Sequence, residues 1–235
     1  MKITVSKNLK LFKDAFTMFA NSGRETNMVF DGEGLTMITT SANSAASKAH
    51  FEKTFFDEYV LEKEKEEFAV VLMEINAVIK KIGFNTLTME GDESTLTISG
   101  NDTKFVTPLL YEADTIPSLP VIEYTNDIET TFGQLSEALG KMSLIKTDSI
   151  KLFLEGGKLR MKSAAQIRKV ETDVCDAEGE DVKIFLSKQL FDSVLIGGND
   201  KINLFIDNDK PVKTILNKGG LILETIIAPR INEDY

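Results

Sequence analysis

Tryptophan is absent from this chain of 235 residues, and cysteine and histidine occur once each, as Cys175 and His50. A single cysteine excludes an internal disulfide and fits a reducing compartment. A single histidine, with no cysteine near it in sequence, makes a poor metal ligand or triad base. No apolar run approaches the roughly 18 residues of a membrane-spanning helix. The opening Met1-Lys2-Ile3-Thr4-Val5 lacks the apolar stretch of a signal peptide, so an intracellular protein with no membrane partner is expected. Neither Gly156-Gly157 nor Gly219-Gly220 is followed by Lys-Ser or Lys-Thr opening a helix, which excludes a P-loop and leaves hairpin turns. The run Glu62-Lys63-Glu64-Lys65-Glu66-Glu67 reads as a solvated loop, since acid–base chemistry needs carboxylates that converge. No catalytic constellation, metal site or cofactor motif emerges, and the chain is not expected to be an enzyme.

What is present is a sentence written twice. Phe68-Ala69-Val70-Val71-Leu72, then Ile75 to Ile82, then Gly83-Phe84-Asn85 and Leu87-Thr88-Met89, returns as Val182-Lys183-Ile184-Phe185-Leu186, Gln189 to Ile196, Gly197-Gly198-Asn199 and Ile202-Asn203-Leu204. The offset from Ile82 to Ile196 equals that from Asn85 to Asn199. A period of about half the chain is too long for a solenoid unit and points to two copies of one domain. Of five prolines, Pro108, Pro117 and Pro120 cluster between the copies, so that stretch reads as an extended linker. The expected division is residues 1–110, a linker at 111–123, and residues 124–235.

Most segments are short, β-branched or aromatic, and bounded by Gly, Asn and Asp, the pattern of antiparallel strands. Asn27–Phe30 with Leu35–Ile38, and Ile150–Leu154 with Lys158–Met161, read as matching hairpins. Four segments read as helices: about Lys7–Asn21, Glu74–Ile82, Phe132–Ser143 and Lys188–Leu195. Thr131 with Gln134 forms a capping-box pattern, and Ser187 suits an N-cap. The fold class is therefore α+β. On helical wheels Leu11, Phe12, Ala15, Phe16 and Phe19 share one face, while Lys7, Lys10 and Lys13 lie opposite. Ile75, Val78, Ile79 and Ile82 likewise oppose Asn76, Lys80 and Lys81.

The net charge is −10, which taken alone argues against nucleic acid. Position matters more than the sum. If the four helices line one surface, Lys7, Lys10, Lys13, Lys80, Lys81, Lys141 and Lys188 collect there, although Glu137 and Asp192 make the stripe uneven. Such a stripe can hold a phosphate backbone without reading bases.

The ending Ile226-Ile227-Ala228-Pro229-Arg230-Ile231 resembles the Tyr-Leu-Ala-Pro-Lys-Ile of the proliferating cell nuclear antigen (PCNA) family, and Leu119-Pro120-Val121-Ile122-Glu123-Tyr124 resembles its Ile-Pro-x-x-Glu-Tyr. Leu11–Phe16 and Asp31-Gly32-Glu33-Gly34-Leu35 also fit. The resemblance implies a DNA clamp fold: three subunits of two similar domains, closing into a pseudo-sixfold ring with helices lining the hole. It implies a processivity factor that encircles duplex DNA and tethers a polymerase, with a clamp loader, ligase and nuclease as further partners through short PCNA-interacting motifs. It carries a partner pocket onto Thr40, Ala45, Ser47, Leu119, Pro120, Tyr124, Pro211, Ile226, Ile227, Ala228 and Pro229. Thr40, Ala45 and Ser47 are smaller or more polar than the family's usual wall, so a shallower pocket is expected. Subunit contacts would fall on the strand Lys104–Leu110, through Lys104, Phe105, Val106, Thr107 and Leu110, and on Val170, Thr172, Val174 and Cys175. The compartment would be the cytoplasm or nucleoid for an archaeal source, the nucleus for a eukaryotic one and the host cell for a virus. The alternatives are a viral or phage-type clamp, a clamp-like scaffold that no longer encircles DNA, or a two-domain hydrolase using an acidic pair such as Asp31 and Glu33.

Overall fold

The computed structural model describes residues 1–41, 44–82, 85–112, 118–196 and 198–230. The chain forms two compact units: Met1–Ser41, Ala46–Leu119 and Asn217–Leu223 in the first, and Ala42–Ala45, Pro120–Leu216 and Glu224–Tyr235 in the second. Residues 113–117 of the expected linker, Gly83, Phe84 and Gly197 of the repeat, and Ile231 of the terminal motif lie outside the described residues.

The first unit runs β1 (Lys2–Val5), α1 (Leu9–Ser22), β2 (Glu25–Phe30), β3 (Gly34–Ser41), β4 (Ala45–Glu52), β5 (Glu58–Val60), β6 (Glu66–Val71), α2 (Leu72–Ile82), β7 (Leu87–Gly91), β8 (Thr95–Gly100) and β9 (Thr103–Pro108). Strands order as β5-β1-β7-β8-β9 in one sheet and as β4-β3-β2-β6 in the other. Period-two burial along Glu25–Phe30 turns Met28 and Phe30 inward. Phe12 of α1 sits 4.7 Å from Phe16 and 5.3 Å from Phe51, ring centre to ring centre. Phenylalanine thus supplies the bulk that tryptophan would otherwise bring.

The second half of the chain runs β10 (Asn126–Thr131), α3 (Phe132–Met142), β11 (Ser149–Glu155), β12 (Lys158–Ala165), β13 (Arg168–Asp176), β14 (Val182–Ser187), α4 (Lys188–Ser193), β15 (Lys201–Ile206), β16 (Val212–Lys218) and β17 (Leu221–Ile227), with Asn217–Leu223 counted in the first unit. Its strands order as β13-β12-β11-β14 and β10-β15-β16-β17. The repeated sentence is therefore strand, helix, strand, strand in both copies: β6-α2-β7-β8 and β14-α4-β15-β16. Each unit is α+β, with two helices on antiparallel sheets.

Local chemistry explains the element ends. Thr131 Oγ1 accepts from Gln134 N while Gln134 Oε1 accepts from Thr131 N, so two orphan donors of α3 are satisfied reciprocally. Ser187 caps α4 through Leu190 N. Gly156 and Gly157 both adopt positive φ (60° and 78°) in the two-residue turn between β11 and β12, the geometry of a primed hairpin turn.

Three expectations are corrected. Helix α2 starts at Leu72, not Glu74, because Val71 passes from strand straight into helix. Asn76, assigned to its polar face, is only 8% exposed, because α1 packs across it and the Thr17 hydroxyl donates to its Oδ1 at 3.2 Å. The strand assigned to Lys104–Leu110 ends at Pro108. Leu110 turns away from it and its N–H donates to Ala69 O, so it does not lie on the strand edge.

Candidate functional site

Helices α1 and α2 pack side by side in the first unit. Their apolar faces, Phe12, Ala15, Phe16 and Phe19 on one and Leu72, Ile75, Ile79 and Ile82 on the other, are buried. The outer side is left with Lys10, Lys80 and Lys81 exposed and Lys13 half-buried. A shallow groove of about 380 Å³ runs between the helices, lined by Ala20, Asn21, Met73, Asn76, Ala77, Lys80 and Lys81. Lys80 and Lys81 thus line a depression together with Ala20, Ala77 and the buried Asn76, and Met73, 65% exposed, adds an apolar side chain. Sequence reasoning missed Met73 and the groove. Only the α1–α2 packing makes them visible.

The other predicted lysines are less free. Lys10 pairs with Asp14 at 3.3 Å along α1. Lys7 precedes the helix and reaches Asp57 at 3.7 Å. In the second unit Lys141 pairs with Glu137 at 2.8 Å along α3, and Lys188, half-buried, opens the six-residue α4. The unevenness expected from Glu137 is realised as an ion pair that neutralises part of this face. Pairs of this exposed kind hold weakly and open readily to a competing anion.

The proposed pocket residues fall into different surroundings. Ala45, Ser47, Ile226 and Ile227 are buried, Pro120 is exposed, and Thr40, Leu119, Tyr124, Pro211, Ala228 and Pro229 lie between. Within the second unit Tyr124 OH donates to Pro211 O at 2.9 Å, and Ala228 N–H donates to Ser44 O at 2.9 Å. Tyr124 is pushed up to about 12, first by burial and then by the Asp207 carboxylate. Val121, 99% exposed, and Tyr111, fully exposed, are large apolar side chains of the linker segments with nothing covering them among the described residues.

Among the described residues β9 and β13 end their sheets. On β9 Lys104 and Val106 are exposed, Phe105 is half-buried and Thr107 is buried. On β13 Val170, Thr172 and Cys175 are half-buried and Val174 is buried. Pro108 still pairs, as the last residue of β9 opposite Thr95. Its missing N–H costs least at such an edge. Burial raises the Cys175 thiol above its ordinary value, which makes it a poor nucleophile.

Asp31, one half of the acidic pair considered for hydrolysis, accepts from Glu33 N and Gly34 N through Oδ1 and closes the β2–β3 turn. His50 Nδ1 meets the Thr36 hydroxyl at 2.9 Å. Among the described residues no group of three or more His, Cys, Asp or Glu side chains could hold a metal ion.

No profile of a protein family matches the sequence. A curated relative, the DNA polymerase sliding clamp of Nanoarchaeum equitans (strain Kin4-M), is 23% identical over 204 residues, 83% of this chain and 81% of that one. Among solved structures, A. fulgidus PCNA bound to the C-terminal region of FEN-1 superposes with a TM-score of 0.88 at 18% identity, over 99% of both chains. PCNA from Thermococcus kodakaraensis gives 0.86 at 20% identity, over 97% of this chain and 99% of that one. A PCNA2–PCNA3 complex from Sulfolobus tokodaii gives 0.81 at 20% identity, over 98% and 99%. The fold of this chain is that of the PCNA sliding clamps.

Proposed function

We propose that this protein is a DNA sliding clamp, a ring of three subunits that encircles duplex DNA and tethers a polymerase. The observation that carries the reading is full-length agreement with the PCNA fold together with an exposed lysine pair, Lys80 and Lys81, on the helical side of the first unit. Loose phosphate contacts suit sliding, whereas base-specific contacts would arrest it. The clamp itself catalyses nothing. It raises the effective concentration of a tethered enzyme, which is recaptured before it diffuses away. The proposed site of action is inside the cell.

Ring closure is assigned to β9 of one subunit meeting β13 of the next, extending a sheet across the contact. The alternation on β9, with Val106 51% exposed beside buried Thr107, leaves an apolar side chain for that contact. Partner docking is assigned to the linker and the C-terminal strand. Ile227 is fully buried, so a charge there would break the fold. Leu119 and Pro120, which keep exposed surface, are the positions to probe.

The test is solution mass together with retention on DNA. A trimer, alone or with different subunits as in the Sulfolobus tokodaii complex, should remain on closed circular DNA after loading and run off once the circle is cut. A strict monomer in the presence of every candidate subunit refutes the ring. Leu119→Asp should abolish stimulation of the polymerase while the trimer persists.

A further inference from the structure

The outward face of the sheet β13-β12-β11-β14 splits into two electrostatic halves. On the β12 side the three cations of that strand each have a carboxylate on β13: Lys158 meets Asp173 at 2.7 Å, Arg160 meets Asp173 at 3.0 Å and Lys162 meets Glu171 at 3.4 Å. On the β11–β14 side the lysines have none. Lys151 stands cross-strand from Lys162 and from Phe185, and Lys183 is cross-strand from Phe153. No carboxylate among the described residues lies within ion-pair distance of Lys151 or Lys183. The Lys151 ammonium instead sits 5.0 Å over the Phe153 ring and 6.0 Å from the Phe185 ring.

Like charges crowd this half. Burial, then Lys183, then Lys162 hold Lys151 below the ordinary lysine value, and Glu155 and Glu171 oppose that less strongly. A protein of net charge −10 has carboxylates to spare, yet among the described residues none reaches these two ammoniums. An anion from outside would supply the missing partner.

The occupant follows from geometry. The β14 edge is closed by its own chain: Asn208 Oδ1 accepts from Lys183 N at 3.1 Å, and Arg230 N–H donates to Phe185 O at 2.8 Å. Strand addition is therefore blocked and the ligand must lie on the face. The two rings are engaged by the Lys151 ammonium, which leaves little open ring face for stacked bases and disfavours single-stranded nucleic acid. Lys151 and Lys183 are diagonal neighbours on adjacent strands, roughly 7–8 Å apart. In an extended peptide, side chains on one face recur every two residues, about 6.5–7 Å.

We propose that this face binds an extended acidic segment of a partner protein, whose carboxylates on alternate residues pair with Lys151 and Lys183. The site is separate from the helical lysines and does not depend on the ring.

The experiment is fluorescence anisotropy at low ionic strength with the full chain and a labelled Thr-Glu-Thr-Glu-Thr-Glu-Thr peptide. Saturable binding is expected, lost with the Gln analogue of the peptide and weakened by salt. Lys183→Gln with Lys151→Met, which keeps an apolar stem over the rings, should weaken it roughly tenfold, as loss of two partly exposed ion pairs implies. Lys183→Arg alone should retain binding, and Lys65→Gln, a lysine of the first unit, should change nothing. The exposed single variant Lys183→Gln gives a readout even if Lys151→Met unfolds the sheet. Absence of saturable binding, equal binding of the Gln peptide, or indifference to Lys183→Gln overturns the proposal. So does a short oligothymidylate that displaces the acidic peptide and is itself lost in the same variants, which would make the face a nucleic-acid site.

Discussion

Tyr124 OH lies 2.9 Å from Pro211 O, and the first unit holds a counterpart: Tyr59 OH lies 2.7 Å from Gly34 O and 2.8 Å from Asp31 O. Both phenols donate to backbone carbonyls, so ionisation would cost the hydrogen bond and bury a charge. Burial chiefly, with Asp31 beside Tyr59 and Asp207 beside Tyr124, pushes each up to about 12 from an ordinary 10.0. A raised acid holds its proton more tightly in the folded state, so the stabilisation is complete below pH 10 and is lost as pH rises toward 12. Thermal melts should fall steeply across that window. Absorbance titration should show late-ionising tyrosines that vanish in Tyr59→Phe with Tyr124→Phe. Ionisation of both at the ordinary value would refute the assignment.

Gly34 begins β3 with φ of 148°, and a Cβ there would collide with the backbone oxygen of Phe51. The obstacle is main chain and cannot rotate away. Gly34→Ala should destabilise the chain by roughly 2–3 kcal/mol, combining backbone strain with displacement of β4. Urea denaturation measures it; a loss below about 0.5 kcal/mol, the size of an ordinary surface substitution, would show that the turn relaxes freely.

The capping box at α3 invites a graded test. Thr131→Ala removes the acceptor for Gln134 N and should cost about 1 kcal/mol, whereas Thr131→Ser keeps the oxygen and should cost little. Equal losses would assign Thr131 to packing of its methyl group.

These caps and turns were legible because their chemistry is local. Thr131 with Gln134, Ser187, and Gly156-Gly157 carry their geometry within a few residues. The duplication was legible for the same reason, as spacing alone. What was not legible depends on distant residues. Asn76 looks polar on its own wheel and is covered only because α1 lies over it. Leu110 continues an apolar run, yet Pro108 ends the strand and Ala69 captures the next turn of chain. The Lys151 face needs three strands in register before its missing carboxylates can be noticed. Ile227 is carried into a partner pocket by resemblance, yet it is fully buried.

The last prediction concerns which lysines meet phosphate. Lys80 and Lys81 are exposed and flank the α1–α2 groove, with no carboxylate in ion-pair contact among the described residues. Lys10 and Lys141 each share their charge with a carboxylate one helical turn away. A shared lysine must give up Asp14 or Glu137 before it can neutralise a phosphate, so it contributes less to counterion release. Binding to a short linear duplex, whose open ends a closed ring can thread, should therefore separate the two classes. Lys80→Ala with Lys81→Ala should lower affinity and flatten the log–log salt dependence by roughly 0.9 per lysine. Lys10→Ala and Lys141→Ala should each flatten it by distinctly less. An unchanged slope in the Lys80 and Lys81 variant would mean that the groove faces solvent rather than DNA, and would transfer the burden to the paired lysines.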